Sequence, residues 1–168
     1  LLPVRKLWGV GPKTEASLKN IGINTIGELA LMPVDRLVET YGQSYGHYLH
    51  EASRGIDESP LVTHWEPKSI SRETTFQTDT NNWQTIAKTI AELAEEVADD
   101  IKQKGYKGRT VTLKVRFSDF KTYTRAKTLN EPTDSIEDIR KAAFGCLKRI
   151  ELKMKVRLIG VRITQFEK

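Results

Sequence analysis

Cysteine is almost absent from this chain: Cys146 is the single one in 168 residues. That excludes an internal disulfide framework and fits a reducing, cytoplasmic setting. Cys146 lies among Ala142, Ala143 and Leu147 on a helical pattern, which reads as a packed thiol. No run approaches the roughly 20 apolar residues of a membrane span, so no membrane partner is expected. No signal-peptide pattern opens the chain. It does not begin with Met, and Leu1-Leu2-Pro3 reads like the middle of a longer polypeptide. Histidine is scarce too: His47 and His50 lie three apart with only His64 elsewhere, so no zinc site is expected.

Charge is plentiful but uneven. Residues 1–67 carry 6 Lys and Arg against 8 Asp and Glu, whereas residues 68–168 carry 21 against 14. Two domains with different surfaces would have this imbalance. The 38% apolar content suffices for one medium domain or two small ones.

Residues 1–56 have the punctuation of short helices. Pro12 opens one that Asn20-Ile21-Gly22 closes; a second follows Asn24-Thr25 and stops before Pro33; a Tyr41-Gly42 break separates the last two. Residues 57–67 contain two prolines and no helical period, as a linker does. Residues 68–168 change rhythm. A strand over 68–76 precedes a helix between Asp79 and Lys104, with Trp83, Ile86, Ile90, Leu93, Val97 and Ile101 at helical spacing. Strict alternation over 109–117 and a tight Ser118-Asp119 link to 120–129 predict a hairpin. Asp134 with Glu137 predicts a capped second helix, and 156–166 a last strand. The fold class is α+β: a small all-helical domain, then a β-α-β-β-α-β antiparallel four-stranded sheet with two helices on one face, the ferredoxin-like arrangement.

Helices on one side leave the other side of the sheet to face solvent or a ligand. The non-core face of 109–117 carries Thr110, Thr112, Lys114 and Arg116. One face of 120–129 carries Lys121, Tyr123, Arg125 and Lys127, and the last strand adds Arg157, Arg162 and Thr164. The acids Glu92, Glu95, Glu96, Asp99 and Asp100 gather on the first long helix. This polarity steers a polyanion onto the sheet. Threonines and cations suit phosphates better than bases, so contact is expected to be independent of sequence. Trp8, Trp65 and Trp83 have apolar neighbours and are expected to pack.

The stretch L-W-G-V-G-P-K-T places Gly9, Val10 and Gly11 ahead of a helix whose first turn holds Lys13 and Thr14. Glycines leave room for a close approach, and unpaired helix amides bind anions. Lys13 opposes the helix dipole unless an anion sits there. The string resembles the helix-hairpin-helix motif, whose backbone amides hold a DNA phosphate from the minor-groove side; family members often place a monovalent cation at the turn.

Further strings extend the likeness: V-R-K-L-W-G-V-G-P-K-T (4–14), I-G-I-N-T-I-G-E-L-A (21–30), R-G-I-D (54–57), K-S-I-S-R-E-T-T-F (68–76), L-K-V-R-F-S-D-F (113–120), T-R-A-K-T-L (124–129) and R-L-I-G-V-R-I-T-Q-F (157–166). In this order they resemble the C-terminal part of a Y-family translesion DNA polymerase, of the DNA polymerase IV type. The resemblance implies a helix-hairpin-helix thumb over 1–56, a linker over 57–67 and a little finger over 68–168. It implies phosphate contacts at Gly9, Gly11 and Lys13, then at Ser69, Ser71, Arg72, Arg125, Lys127, Arg157 and Arg162. The implied partner is a primer–template duplex gripped by a monomer, with a sliding clamp as a further partner of the parent. The parent is expected to need Mg²⁺ held by palm carboxylates. Neither of the family's carboxylate motifs occurs here, so this chain by itself is expected to hold DNA without extending it and to need no cofactor. Two rivals stay open: a helix-hairpin-helix DNA glycosylase using Lys13, against which stand the late Asp35 and too few cysteines for an iron–sulfur cluster, and a non-enzymatic DNA-binding adaptor.

Overall fold

The computed structural model describes residues 2–63 and 65–167, and the chain divides into two compact units, residues 1–63 and 64–168. In the first, a short 3-10 turn (Val4–Lys6) precedes α1 (Pro12–Asn20), α2 (Ile26–Ala30), α3 (Val34–Tyr41) and α4 (Gln43–Ser53). Pro12 fills the first helical position, where its missing N–H is no loss, and Gly22 follows α1 at φ 83°. Thr25 starts α2 through a capping box. Its Oγ1 accepts from the Glu28 amide at 3.2 Å, and Glu28 Oε2 accepts from the Thr25 amide at 3.0 Å and the Asn24 amide at 2.7 Å. Helices α3 and α4 meet at Gly46, where an added Cβ would lie 2.5 Å from the Val38 amide nitrogen. Val4, Val10, Leu18, Ile23, Leu29, Leu37 and Leu49 form the buried core. With so few apolar side chains, each one carries a large share of the unit's stability.

The second unit runs β1 (Ser69–Thr80), α5 (Trp83–Gln103), β2 (Lys107–Phe117), β3 (Thr122–Thr133), α6 (Ile136–Leu147) and β4 (Val156–Glu167). All strand pairs are antiparallel, and the spatial order is β1-β4-β2-β3. The element order is the expected one, but β4 and β2 hold the middle, where a ferredoxin-like sheet holds its first and third strands. Helices α5 and α6 pack on each other and on one face, sealing Ile86, Ile90, Leu93, Val97 and Ile101 against Val111, Leu113, Val115, Ile159, Val161 and Ile163. Cys146 is buried in this core, as a packed thiol.

Three local expectations are corrected. Strand β1 continues to Thr80, so Asp79 belongs to a strand and Asn82 caps α5, its side chain accepting from the Thr85 amide at 3.0 Å. Ser135, not Asp134, caps α6: its Oγ accepts from the Asp138 amide, while Thr133 Oγ1 accepts from the Ser135 amide at 3.0 Å and donates to Asp138. The loop after β2 is not a two-residue link. It spans Ser118, Asp119 and Phe120, with Phe120 left-handed at φ 63° and the Phe117 amide donating to the Lys121 carbonyl at 3.0 Å. A three-residue hairpin ending in a left-handed residue is a common alternative, and its consequence for the sheet is large.

Candidate nucleic-acid interface

The hairpin of the first unit is assembled by backbone constraints. Gly9 sits at φ 78°, and a Cβ there would press on the Tyr48 ring at 3.2 Å; only glycine fits without strain. Val10 is buried and pins the turn, its amide donating to the Leu7 carbonyl at 3.2 Å. Gly11 differs: it is extended at φ −87°, and a Cβ would point into open space. No contact inside the protein requires glycine at this N-cap, and the missing Cβ leaves the turn open to approach from outside. No side chain caps α1, so the Lys13 and Thr14 amides have no acceptor within the helix. Two tyrosines brace the turn from behind, Tyr45 donating to the Gly9 carbonyl at 2.8 Å and Tyr48 to the Trp8 carbonyl at 2.6 Å. Burial pushes the Tyr48 hydroxyl's pKa up, with Tyr45 and Asp57 adding to the shift, so Tyr48 stays a donor at neutral pH. Lys13 makes no ion pair or side-chain hydrogen bond to the described residues.

On the sheet, register decides which side chains share a face. Rows read across the strands from β1 to β3: Ser69, Thr164, Thr110 and Thr128; Ser71, Arg162, Thr112 and Ala126; Glu73, Gly160, Lys114 and Thr124; Thr75, Leu158, Arg116 and Thr122. These rows face away from the helices, because the intervening positions supply the buried core. The open face is therefore rich in hydroxyls, with three cations against the single carboxylate of Glu73. Glu73 Oε2 takes the Lys114 ammonium at 2.8 Å, beside a hollow of about 200 Å³ above Gly160. Arg116 Nε donates to Thr122 Oγ1 at 2.9 Å. Arg162 is exposed and has no ion pair or side-chain hydrogen bond to the described residues.

Six residues expected at the interface lie elsewhere. Tyr123, Arg125 and Lys127 pair with Val115, Leu113 and Val111, so they belong to the helix side. The three-residue loop moves β3 by one residue relative to a two-residue link, and one residue of slip exchanges the two faces. Arg125 donates to the carbonyls of Arg149 and Thr124, and the Lys127 stem lies beside Gly145 of α6. Arg72 also faces the helices and pairs with Asp100 of α5 at 2.7 Å. Arg157 is an extra residue in a bulge between the Phe117–Val156 and Arg116–Leu158 pairs; it reaches Asp79 at 3.3 Å and caps the Phe120 ring at 4.7 Å. Lys121 likewise pairs with Asp119, whose carboxyl is held below the usual range by the Lys121 amide.

The sequence reading missed Glu73, although alternation from Ser69 and Ser71 puts it on their face. It also missed Thr122, Thr124 and Thr128, which only the register reveals. Trp8, Trp65 and Trp83 do not pack: they are 89%, 76% and 56% exposed. His64 lies outside the described residues, among which no cluster of three or more His, Cys, Asp or Glu could hold a metal.

Residues 67–168 match the impB/mucB/samB family C-terminal domain, and residues 5–57 match the thumb domain described for DNA polymerase-iota. The chain belongs to this family of Y-family polymerases and comprises its thumb and little-finger portions. Among its relatives, a DNA polymerase IV of Methanoculleus marisnigri is 43% identical over 166 residues, covering 99% of this chain and 46% of that protein. One of Dehalococcoides mccartyi is 39% identical over 167 residues, covering 98% and 43%, and one of Streptomyces coelicolor 38% over 163, covering 97% and 34%. The chain thus spans less than half the length of these relatives.

Proposed function

We propose that this chain is the duplex-gripping part of a translesion DNA polymerase, with residues 1–56 as thumb, 57–67 as linker and 68–168 as little finger. In the thumb, the amides around Gly9, Val10, Gly11, Lys13 and Thr14 take a phosphate, helped by the Lys13 ammonium and the Thr14 hydroxyl. In the little finger, Arg162, Lys114 and Arg116 meet successive phosphates, with Ser69, Ser71, Thr112 and Thr164 donating hydrogen bonds between them. Successive rows stand about 7 Å apart, two residues of strand, a step comparable with that between phosphates on one strand. Arg72, Arg125, Lys127 and Arg157 contribute to the field at the margins rather than contacts on the face.

The observation that carries this reading is the open face itself: four rows of hydroxyls and cations opposite a helix-covered core. None of its groups reads a base edge in a fixed pattern, so binding is indifferent to sequence. The parent protein would supply templated nucleotide transfer with Mg²⁺ on carboxylates outside this chain, work in the cytoplasm as a monomer, and engage a sliding clamp. A monovalent cation at the hairpin would draw on carbonyls such as that of Val10, since those of Leu7, Trp8 and Gly9 already accept from the Val10 amide and the two tyrosines.

Anisotropy titration of a labelled primer–template duplex tests the proposal. Binding should weaken steeply with salt and vary little among sequences. A flat titration at low salt refutes it. Primer extension by this chain with Mg²⁺ should be nil, and any templated extension would refute the assignment of catalysis to residues outside it.

A further inference from the structure

Trp8 is 89% exposed, the most exposed of the three tryptophans, yet its backbone is among the most tightly braced segments of the first unit. The Tyr48 hydroxyl holds its carbonyl at 2.6 Å and the Tyr45 hydroxyl holds the next one at 2.8 Å. The rings of Tyr45 and Tyr48 stack at 5.9 Å and 11°, Tyr41 meets Tyr45 edge-on at 6.1 Å, and Tyr41 donates to Ser17 of α1 at 3.0 Å. The three tyrosines therefore fix the backbone that carries the indole, which stands in solvent directly before the hairpin glycines Gly9 and Gly11. Packing does not explain the residue, because almost none of its surface is buried. A large apolar side chain left in water on a braced backbone is a contact surface awaiting a partner.

The chemistry of the indole selects the partner. It offers a flat apolar body and one N–H donor, with no acceptor. The minor-groove edges of A·T and T·A pairs present only acceptors, in a degenerate pattern that does not distinguish the two. The groove walls are deoxyribose rings, apolar and repeating with every nucleotide. We infer that Trp8 is a non-ionic DNA contact, packing on deoxyribose at the minor-groove edge while the neighbouring amides and Lys13 hold phosphate. This rests on the DNA-binding reading above and adds a contribution that reading does not contain. Ionic and amide contacts fade with salt, whereas an apolar contact persists, so the hairpin would keep a hold on duplex when phosphate contacts are screened.

The test uses the chain with Trp65→Phe and Trp83→Phe, which leaves Trp8 as the sole tryptophan. Its emission should shift to shorter wavelength or quench on adding duplex, tracking the anisotropy curve. In the otherwise unchanged chain, Trp8→Ala should raise Kd roughly five- to tenfold, at the low end for aromatic contacts with nucleic acid, with the salt slope unaltered. Lys13→Ala should instead reduce that slope by about one. Trp8→Phe should recover part of the loss through its apolar body. Unchanged Trp8 emission while anisotropy reports binding overturns this inference and leaves the DNA-binding reading intact. A Trp8→Ala effect confined to the salt slope also overturns it, as would be found if the indole merely held the hairpin in shape. No anisotropy change for the parent chain overturns the DNA-binding reading itself.

Discussion

Changing Glu73 to Gln removes the only carboxylate in the four paired rows of the open face, at nearly constant volume. Its Oε2 lies 2.8 Å from Lys114 Nζ, and the two side chains are 53% and 32% exposed. Unit charges at that distance attract by about 1.5 kcal/mol in bulk water, which side-chain entropy and salt reduce to below about 1 kcal/mol. A phosphate must overcome this internal competitor to recruit Lys114. The substitution frees the ammonium and removes a charge that repels DNA, so the duplex should bind about two- to fivefold more tightly near 50 mM salt. One further phosphate neutralised steepens the dependence of log K on log salt by about 0.9, an extra loss of about 3.5-fold over a fourfold rise in salt. The gain should therefore vanish at high salt, while thermal stability should move by less than about 0.5 kcal/mol. Anisotropy at four salt concentrations measures both terms. Repeating it in a Lys114→Met background isolates the coupling, since Glu73→Gln should then lose most of its effect. Weaker binding by Glu73→Gln, or an unchanged slope, would refute the reasoning: Glu73 would then be orienting Lys114, or the face would not meet phosphate.

Register supplies a sharper contrast. Lys114→Glu with Arg162→Glu should weaken duplex binding by more than about tenfold, whereas Arg125→Glu and Glu95→Lys should change it much less; equal losses would show that net charge, not the face, governs binding. The two hairpin glycines should part company in a thermal melt combined with anisotropy. Gly9→Ala strains a positive φ and should lower stability by about 1–2 kcal/mol, whereas Gly11→Ala should melt like the parent and bind DNA less well; a destabilised Gly11→Ala would mean the glycine serves the fold. Glu28 carries the pH test, because the Asn24 amide first and the Thr25 amide next hold its carboxyl below the usual range. A depressed folded pKa gives stability that is complete above the unfolded pKa and is lost as pH falls through the folded one. Urea midpoints of the parent and of Glu28→Gln should therefore differ at neutral pH and converge in acid, and a gap that stayed constant would contradict the capping role.

Much of the fold was legible because it rests on local patterns. Proline at the start of α1 removes an orphan donor, glycine after its end takes the left-handed turn, and Thr25 supplies a capping hydroxyl; such local needs are the same in every context. The alternation in β2 likewise identified Val111, Leu113, Val115 and Phe117 as core, and all four are buried. Helix starts were less certain: Asp134 and Ser135 are adjacent capping types, and only the fit of Thr133 between Ser135 and Asp138 selects the serine. The tryptophans misled because apolar neighbours in sequence do not become neighbours in space when a turn points the side chain outward.

The amino-acid order by itself determined which segments are helices and strands, which residues build the hairpin at Gly9 and Gly11, and that a basic sheet follows an acidic helical unit. Tertiary structure alone decided the side on which Arg125 and Lys127 stand, that Arg72 is claimed by Asp100, and that Glu73 shares the face with Lys114. Side-chain direction along a strand repeats every two residues, but its absolute sense depends on the pairing with a neighbour. One additional loop residue, Phe120 in a left-handed conformation, set that pairing and turned the cations of β3 away from the face that carries Lys114 and Arg162.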